Sequence, residues 1–144
     1  MNYFLTDDQK MIRDLAAQIA KEKIAPIAAE LDETGEFPWE VVKTLGTSDL
    51  FRVFIPTEYD GLGGGMFEMA LVVEELSKAC GGIALSYAAS GLGTIPIILF
   101  GTPEQKKTWL PRLASGEILA AFALTEPNAG SDAAAIKTQA KPDG

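Results

Sequence analysis

Leu119-Ala120-Ala121-Phe122-Ala123-Leu124-Thr125-Glu126-Pro127-Asn128-Ala129-Gly130-Ser131-Asp132 is where this 144-residue sequence changes character. Leu119 to Leu124 is an apolar run of strand length, bounded by Pro127 and Gly130, and it reads as a β-strand. Thr125 offers a hydroxyl at the strand end. Successive N–H groups around Ala129 to Ser131 suit an anion-binding nest. An ordinary β-turn capped by Ser131 and Asp132 accounts for the same residues. A second strand is expected over 136–140. Pro142-Asp143-Gly144 is turn chemistry that calls for a returning strand. Two such strands cannot close a sheet, so the sequence is expected to be a fragment of a longer protein.

The chain upstream reads mainly as helix, with loops at Gly35 to Pro38 and Pro56 to Gly65. Thr6 and Gln9 form an S/T-x-x-E/Q capping box. Met11, Ile12, Leu15, Ala16 and Ile19 then recur at helical spacing until Pro26 ends or kinks the element. Ala28 to Leu31 continues it on a new axis. A short helix follows from Pro38 to Leu45, and Phe51-Arg52-Val53-Phe54-Ile55 reads as a short extended piece. Met69, Val72, Val73, Leu76 and Cys80 mark another helix, on which Glu74 and Lys78 are spaced to pair. Thr102-Pro103-Glu104-Gln105 opens the last one, with Pro111 bending it and Gly116 ending it.

Between these two helices, Ala79 to Pro103 carries no charged residue. The stretch is long enough to cross a bilayer, but it holds five glycines and two prolines. A fully buried helix at the heart of a bundle is the expectation, and no membrane span is read.

Composition narrows the chemistry. The absence of histidine excludes Ser-His-Asp and Cys-His nucleophilic sites and His-ligated metals. Cys80 stands alone, so neither an internal disulfide nor a cysteine cluster is available, and no metal site is read. A net charge of -8 argues against nucleic acid and anionic membrane surfaces as partners. Gly61-Leu62-Gly63-Gly64-Gly65 lacks the G-x-G-x-x-G spacing of a dinucleotide fingerprint and reads as a tight turn. The first residues, Met1 to Asp8, show no leader pattern. The expected compartment is the cytoplasm, or the mitochondrial matrix for a processed eukaryotic protein.

Ala123-Leu-Thr-Glu-Pro-Asn-Ala-Gly-Ser-Asp132 resembles the flavin-site signature of the acyl-CoA dehydrogenases. Ile55-Pro-Thr-Glu-Tyr-Asp-Gly-Leu-Gly-Gly64 resembles the family's Pro-Glu-x-x-Gly-Gly-x-Gly loop. Glu74-Glu-Leu76 and Gly101 to Glu117 resemble its helices in the same order. The resemblance implies a mainly α chain: an N-terminal helical bundle over 1–117, then the first strands of a truncated β-barrel domain over 118–144. It implies an oxidoreductase of fatty acid or amino acid catabolism, a flavoprotein that binds FAD. The reaction implied is α,β-desaturation of an acyl-CoA thioester, with hydride transfer to the flavin. The implied partners are acyl-CoA, an electron-transfer flavoprotein as acceptor, and further copies of the chain in a homotetramer.

Carried over by position, Phe122, Leu124, Thr125, Gly130 and Ser131 would meet the cofactor, and Ser131 would also meet the acyl-CoA. Phe122 departs from the tyrosine of some members. Leu85-Ser-Tyr-Ala-Ala-Ser90 resembles the segment that lines the acyl pocket, which makes Ser86, Tyr87 and Ser90 substrate candidates. None of the acids matches the family's catalytic glutamate, so no catalytic residue is assigned. The alternatives are a non-catalytic helical module that binds acyl-CoA or a protein, and an acyl-CoA oxidase of the same fold.

Overall fold

The computed structural model describes residues 4–141. The expected turn at Pro142-Asp143-Gly144 and the start of the N-terminal segment lie outside the described residues. Among those described, the regular structure is helical: α1 (Asp7–Ile19), α2 (Ala28–Thr34), α3 (Trp39–Thr47), α4 (Met66–Ala79), α5 (Gly81–Phe100) and α6 (Pro103–Ala114).

Helix α1 begins at the expected capping box. The Thr6 hydroxyl accepts the Gln9 N–H at 3.2 Å, and the Gln9 side chain accepts the Thr6 N–H at 3.0 Å. Its inward stripe is Ala16, Ile19, Ala20 and Ile24, while Met11 and Leu15 face water. The expected stripe is therefore correct at Ala16 and Ile19, and at Ile12, which is half-buried against the core, and displaced at Met11 and Leu15. At Ala20–Ile24 the helix widens into a π turn, in which Ala25 N–H donates to Ala20 C=O at 2.9 Å. Pro26 has no N–H to give and its ring would crowd the carbonyl four residues back, so the axis changes before α2.

The core is built where α4 packs against α1 and α5, and α6 packs against α5. Leu50, Phe51, Val53, Phe54 and Ile55 fill it from one side. These residues are not extended as expected: Leu50–Arg52 is a 3-10 turn. A short apolar run without a period reads equally as strand or as buried coil, and among the described residues no strand lies beside it. Carbonyls left over from this turn are taken by the glycine loop, through Leu62 N–H to Arg52 C=O at 2.8 Å and Gly63 N–H to Ile55 C=O at 2.9 Å. A Cβ on Gly61 would stand 1.8 Å from the Ile55 carbonyl oxygen. The glycines thus serve a close backbone approach, as the tight-turn reading requires.

Helix α5 departs from the fully buried expectation. It is 20 residues long with a mean hydropathy of 1.8 over its best window, long and apolar enough to cross a membrane by length and composition. Ile83, Ala84, Tyr87, Ser90, Gly91 and Thr94 face the core, but Leu85, Leu92, Leu99 and Phe100 lie exposed along the other side. Its lack of charge therefore leaves one apolar face outside the bundle.

Helix α6 has the second expected capping box, Thr102 with Gln105. It ends at Gly116, whose φ of +73° suits glycine. Beyond it the strands expected at 119–124 and 136–140 are not formed among the described residues; the one β-bridge there joins Glu126 to Ala129. A strand exists only by pairing with another. The residues of 119–125 have strand composition but no strand beside them.

Candidate functional site

The richest chemistry gathers where the 118–141 segment leaves the bundle. Two contacts fix the departure. Ser90 Oγ, buried on α5, accepts the Ala120 N–H at 3.2 Å. Gly93, one turn further, lets the backbone of Ala120 and Ala121 lie against the helix; a Cβ there would stand 2.8 Å from the Ala121 carbonyl oxygen. Beside this junction runs an apolar cleft of about 490 Å³, walled by Ile97, Phe100, Trp109, Leu113, Ile118 and Ala120 among others. The Arg112 guanidinium sits 5.7 Å from the centre of the Trp109 ring and pairs with Glu117 at 2.8 Å.

From Ala121 the chain runs out exposed. Phe122 and Leu124 are 45% and 48% exposed. The backbone of 121–125 makes no hydrogen bond among the described residues. Then Glu126 and Ala129 exchange both backbone bonds, at 3.0 and 3.2 Å, around Pro127-Asn128. This is the ordinary turn of the two readings. The nest alternation is not formed, because Ala129 N–H is committed to Glu126 and no residue of 129–131 has a positive φ. Gly130 and Ser131 lie exposed after the turn, and Ala129 is buried.

Glu126 ties this turn to the chain beyond it. Its carboxylate accepts the Lys137 N–H at 3.0 Å, the Thr138 N–H at 2.8 Å and the Thr138 hydroxyl. The Thr138 hydroxyl bond, then the two backbone bonds, hold its carboxyl below the usual range. Reading the residues in order did not single out Glu126. Its role depends on residues eleven and twelve positions away.

The model of the acyl-CoA dehydrogenase N-terminal domain matches residues 6–117. The chain belongs to the acyl-CoA dehydrogenase family. It is 50% identical over 145 residues to the probable acyl-CoA dehydrogenase YngJ of Bacillus subtilis, covering 100% of this chain and 38% of that protein. It superimposes on the butyryl-CoA dehydrogenase of Megasphaera elsdenii with a TM-score of 0.86 and 37% identity, covering 96% of this chain and 37% of that one. The acyl-CoA dehydrogenase of Bacillus anthracis, solved in complex with FAD, gives a TM-score of 0.85 and 40% identity, covering 94% and 23% of the two chains. The chain thus spans about two fifths of the length of the curated relative it matches.

The acyl-CoA dehydrogenase signature residues fall into two groups. Phe122, Leu124, Thr125, Gly130 and Ser131 lie together on the exposed segment. The α5 candidates lie apart from them, and most face inward. Tyr87 is fully buried between Phe51 and Phe54, with ring centres 5.3 and 6.0 Å away, and its hydroxyl donates to the Leu50 carbonyl at 3.0 Å. Burial pushes its phenol well above the ordinary value. The Ser86 hydroxyl donates to the Ile83 carbonyl at 2.7 Å. Ser90 supports Ala120. What α5 presents outward from the same stretch is Leu85, and two turns on, Leu92. A 3.6-residue period carries that distinction, which the order of residues in a motif does not.

Proposed function

We propose that this chain is the N-terminal portion of a flavin-dependent acyl-CoA dehydrogenase. The reading is supported by family membership and carried by one observation: the signature segment stands exposed with the backbone of 121–125 unpaired. Exposed donors and acceptors in that state are held by water and can exchange it for a ligand, and a planar ligand with a polar edge fits such a segment. The residues present therefore suit FAD. Phe122, Leu124 and Thr125 would hold its ring edge, with backbone amides and the Thr125 hydroxyl as donors. Gly130 and Ser131 would meet its pyrophosphate, and Ser131 also the acyl-CoA. When bound, FAD supplies the two-electron acceptor for α,β-desaturation. The chain's own part is to bind and orient, and no acid in it is assigned as the base.

On α5, Leu85 and Leu92 are the exposed apolar side chains nearest the 85–90 stretch and would line an acyl chain, and Ser90 acts by seating Ala120. The exposed strand-like segment begins the β domain, an electron-transfer flavoprotein is the acceptor, the assembly is a homotetramer and the compartment is cytoplasmic. Each of these extends the same reading.

The test is spectral. The protein expressed from the whole gene is expected to purify with oxidised-flavin absorption that bleaches on adding a short or branched acyl-CoA. A protein that stays colourless with added FAD sinks the reading. Turnover that consumes dissolved oxygen as efficiently as it reduces an electron-transfer flavoprotein would make it an oxidase.

A further inference from the structure

The exposed segment 121–131 carries all the cofactor candidates, yet no sheet holds it among the described residues. Its lengthwise anchorage is Ser90 to Ala120 at one end. At the other end the connection to 136–138 runs through one side chain. Glu126 Oε2 takes Lys137 N–H, and Oε1 takes both Thr138 N–H and the Thr138 hydroxyl. Three donors on one carboxylate form a charge-assisted cluster, stronger than neutral bonds of the same count. It does across the two segments what a ladder of backbone bonds would do in a sheet.

We infer that Glu126 is a positioning residue for the flavin, clamping the Glu126–Ala129 turn onto Lys137 and Thr138 so that Thr125 on one side of the turn and Gly130-Ser131 on the other keep one placement against the chain beyond it. The inference rests on the flavin reading above and goes further, since it gives a role to an acid that would not itself touch the cofactor. The lowered carboxyl of Glu126 agrees with it, because the ionised form is the one that accepts all three donors. A glutamine in its place keeps the two Oε1 bonds but turns an amide donor toward the Lys137 N–H. One arm of the clamp then opens.

The experiment uses the protein expressed from the whole gene, stripped of flavin and titrated with FAD by fluorescence, with Glu126→Gln and Thr138→Val beside the wild type. Losing one charge-assisted bond is expected to raise the FAD Kd of Glu126→Gln about tenfold, and Thr138→Val, which keeps the carboxylate, a few-fold. The visible circular dichroism of bound flavin should change in Glu126→Gln, and thermal unfolding of the apoproteins should not. Wild-type affinity and spectrum in Glu126→Gln overturn the inference alone. So does weakened binding that merely tracks a fall in apoprotein stability. A wild-type protein that takes up no FAD overturns the flavin reading itself, and this inference with it.

Discussion

Residues 7–114 and residues 119–141 obey different rules. In the first region each helix satisfies its own backbone groups within a turn or two. What remains is to bury one face, and all the helices but α2, which has no fully buried residue, do that on the shared core. In the second region the described residues make one tight turn at Glu126–Ala129 and a 3-10 turn at Ala133–Ala135 but no ladder, and the backbone groups at 121–125 find no partner among them. A helix is a solution a segment reaches locally, whereas a strand is an agreement between segments. One region is therefore settled by its own sequence, and the other is shaped by whatever comes to lie beside it.

Amide exchange offers the sharpest way to break that contrast. Amides in the buried middle of α4, around Val72 and Leu76, are expected to exchange orders of magnitude more slowly than those of 122–125. Slow exchange at 122–125 in the isolated 144-residue chain would mean a partner strand is already present. Within the helical region, Tyr87→Ala should be the costliest substitution, about 3–5 kcal/mol in denaturant unfolding, because it opens a cavity between Phe51 and Phe54. Tyr87→Phe should cost less, about 0.5–1.5 kcal/mol, because it removes the hydroxyl's bond to the Leu50 carbonyl while that carbonyl keeps the Val53 N–H. A loss below that for Tyr87→Ala would mean the core rearranges around the hole.

Gly61→Ala comes next, at about 1–3 kcal/mol, since the new Cβ meets the Ile55 carbonyl and the 52–55 turn has to shift.

Glu68→Gln should cost about 1 kcal/mol, as expected for a helix cap. The Glu68 carboxylate accepts the Gln9 amide and the Gly65 N–H, both at 2.7 Å, and so joins the starts of α1 and α4. Those bonds, the Gln9 one first, hold its carboxyl below the usual 4.5. Its stabilisation is then fully present above that usual value and lost as the pH falls through the lowered one. Unfolding measured across the acid range should show a shallower acid limb in Glu68→Gln. A limb unchanged from wild type would exclude this cap as a contributor.

Lys78→Ala should change stability by less than about 0.5 kcal/mol. Lys78 lies 2.6 Å from Glu75 and 3.9 Å from Glu74, so the expected partner is the more distant of the two, and the lysine is well exposed.

Where the residues themselves carry the instruction, the sequence was legible. Both Thr–Gln capping boxes, the break at Pro26 and the stop at Gly116 are local chemistry and stand where the sequence puts them. Where burial decides, it was not. Met11 and Leu15 match the period of the α1 stripe but miss the face that α4 covers. The run at 51–55 has strand composition but turns, because it is surrounded by helices. The motif at 123–132 could be recognised from its order alone. That Tyr87 and Ser90 turn inward, and that Glu126 reaches Lys137 and Thr138, depends on helix phase and on contacts between distant segments.

The sequence by itself thus determined the family, the helix termini and the chemistry excluded by a lack of histidine, because each follows from residue identity and short spacing. Only the tertiary structure decided which side of α5 is core and which is outward, and how the signature segment is anchored. Those depend on side chains that meet across space, where hydrophobic burial and hydrogen-bond satisfaction are settled jointly rather than residue by residue.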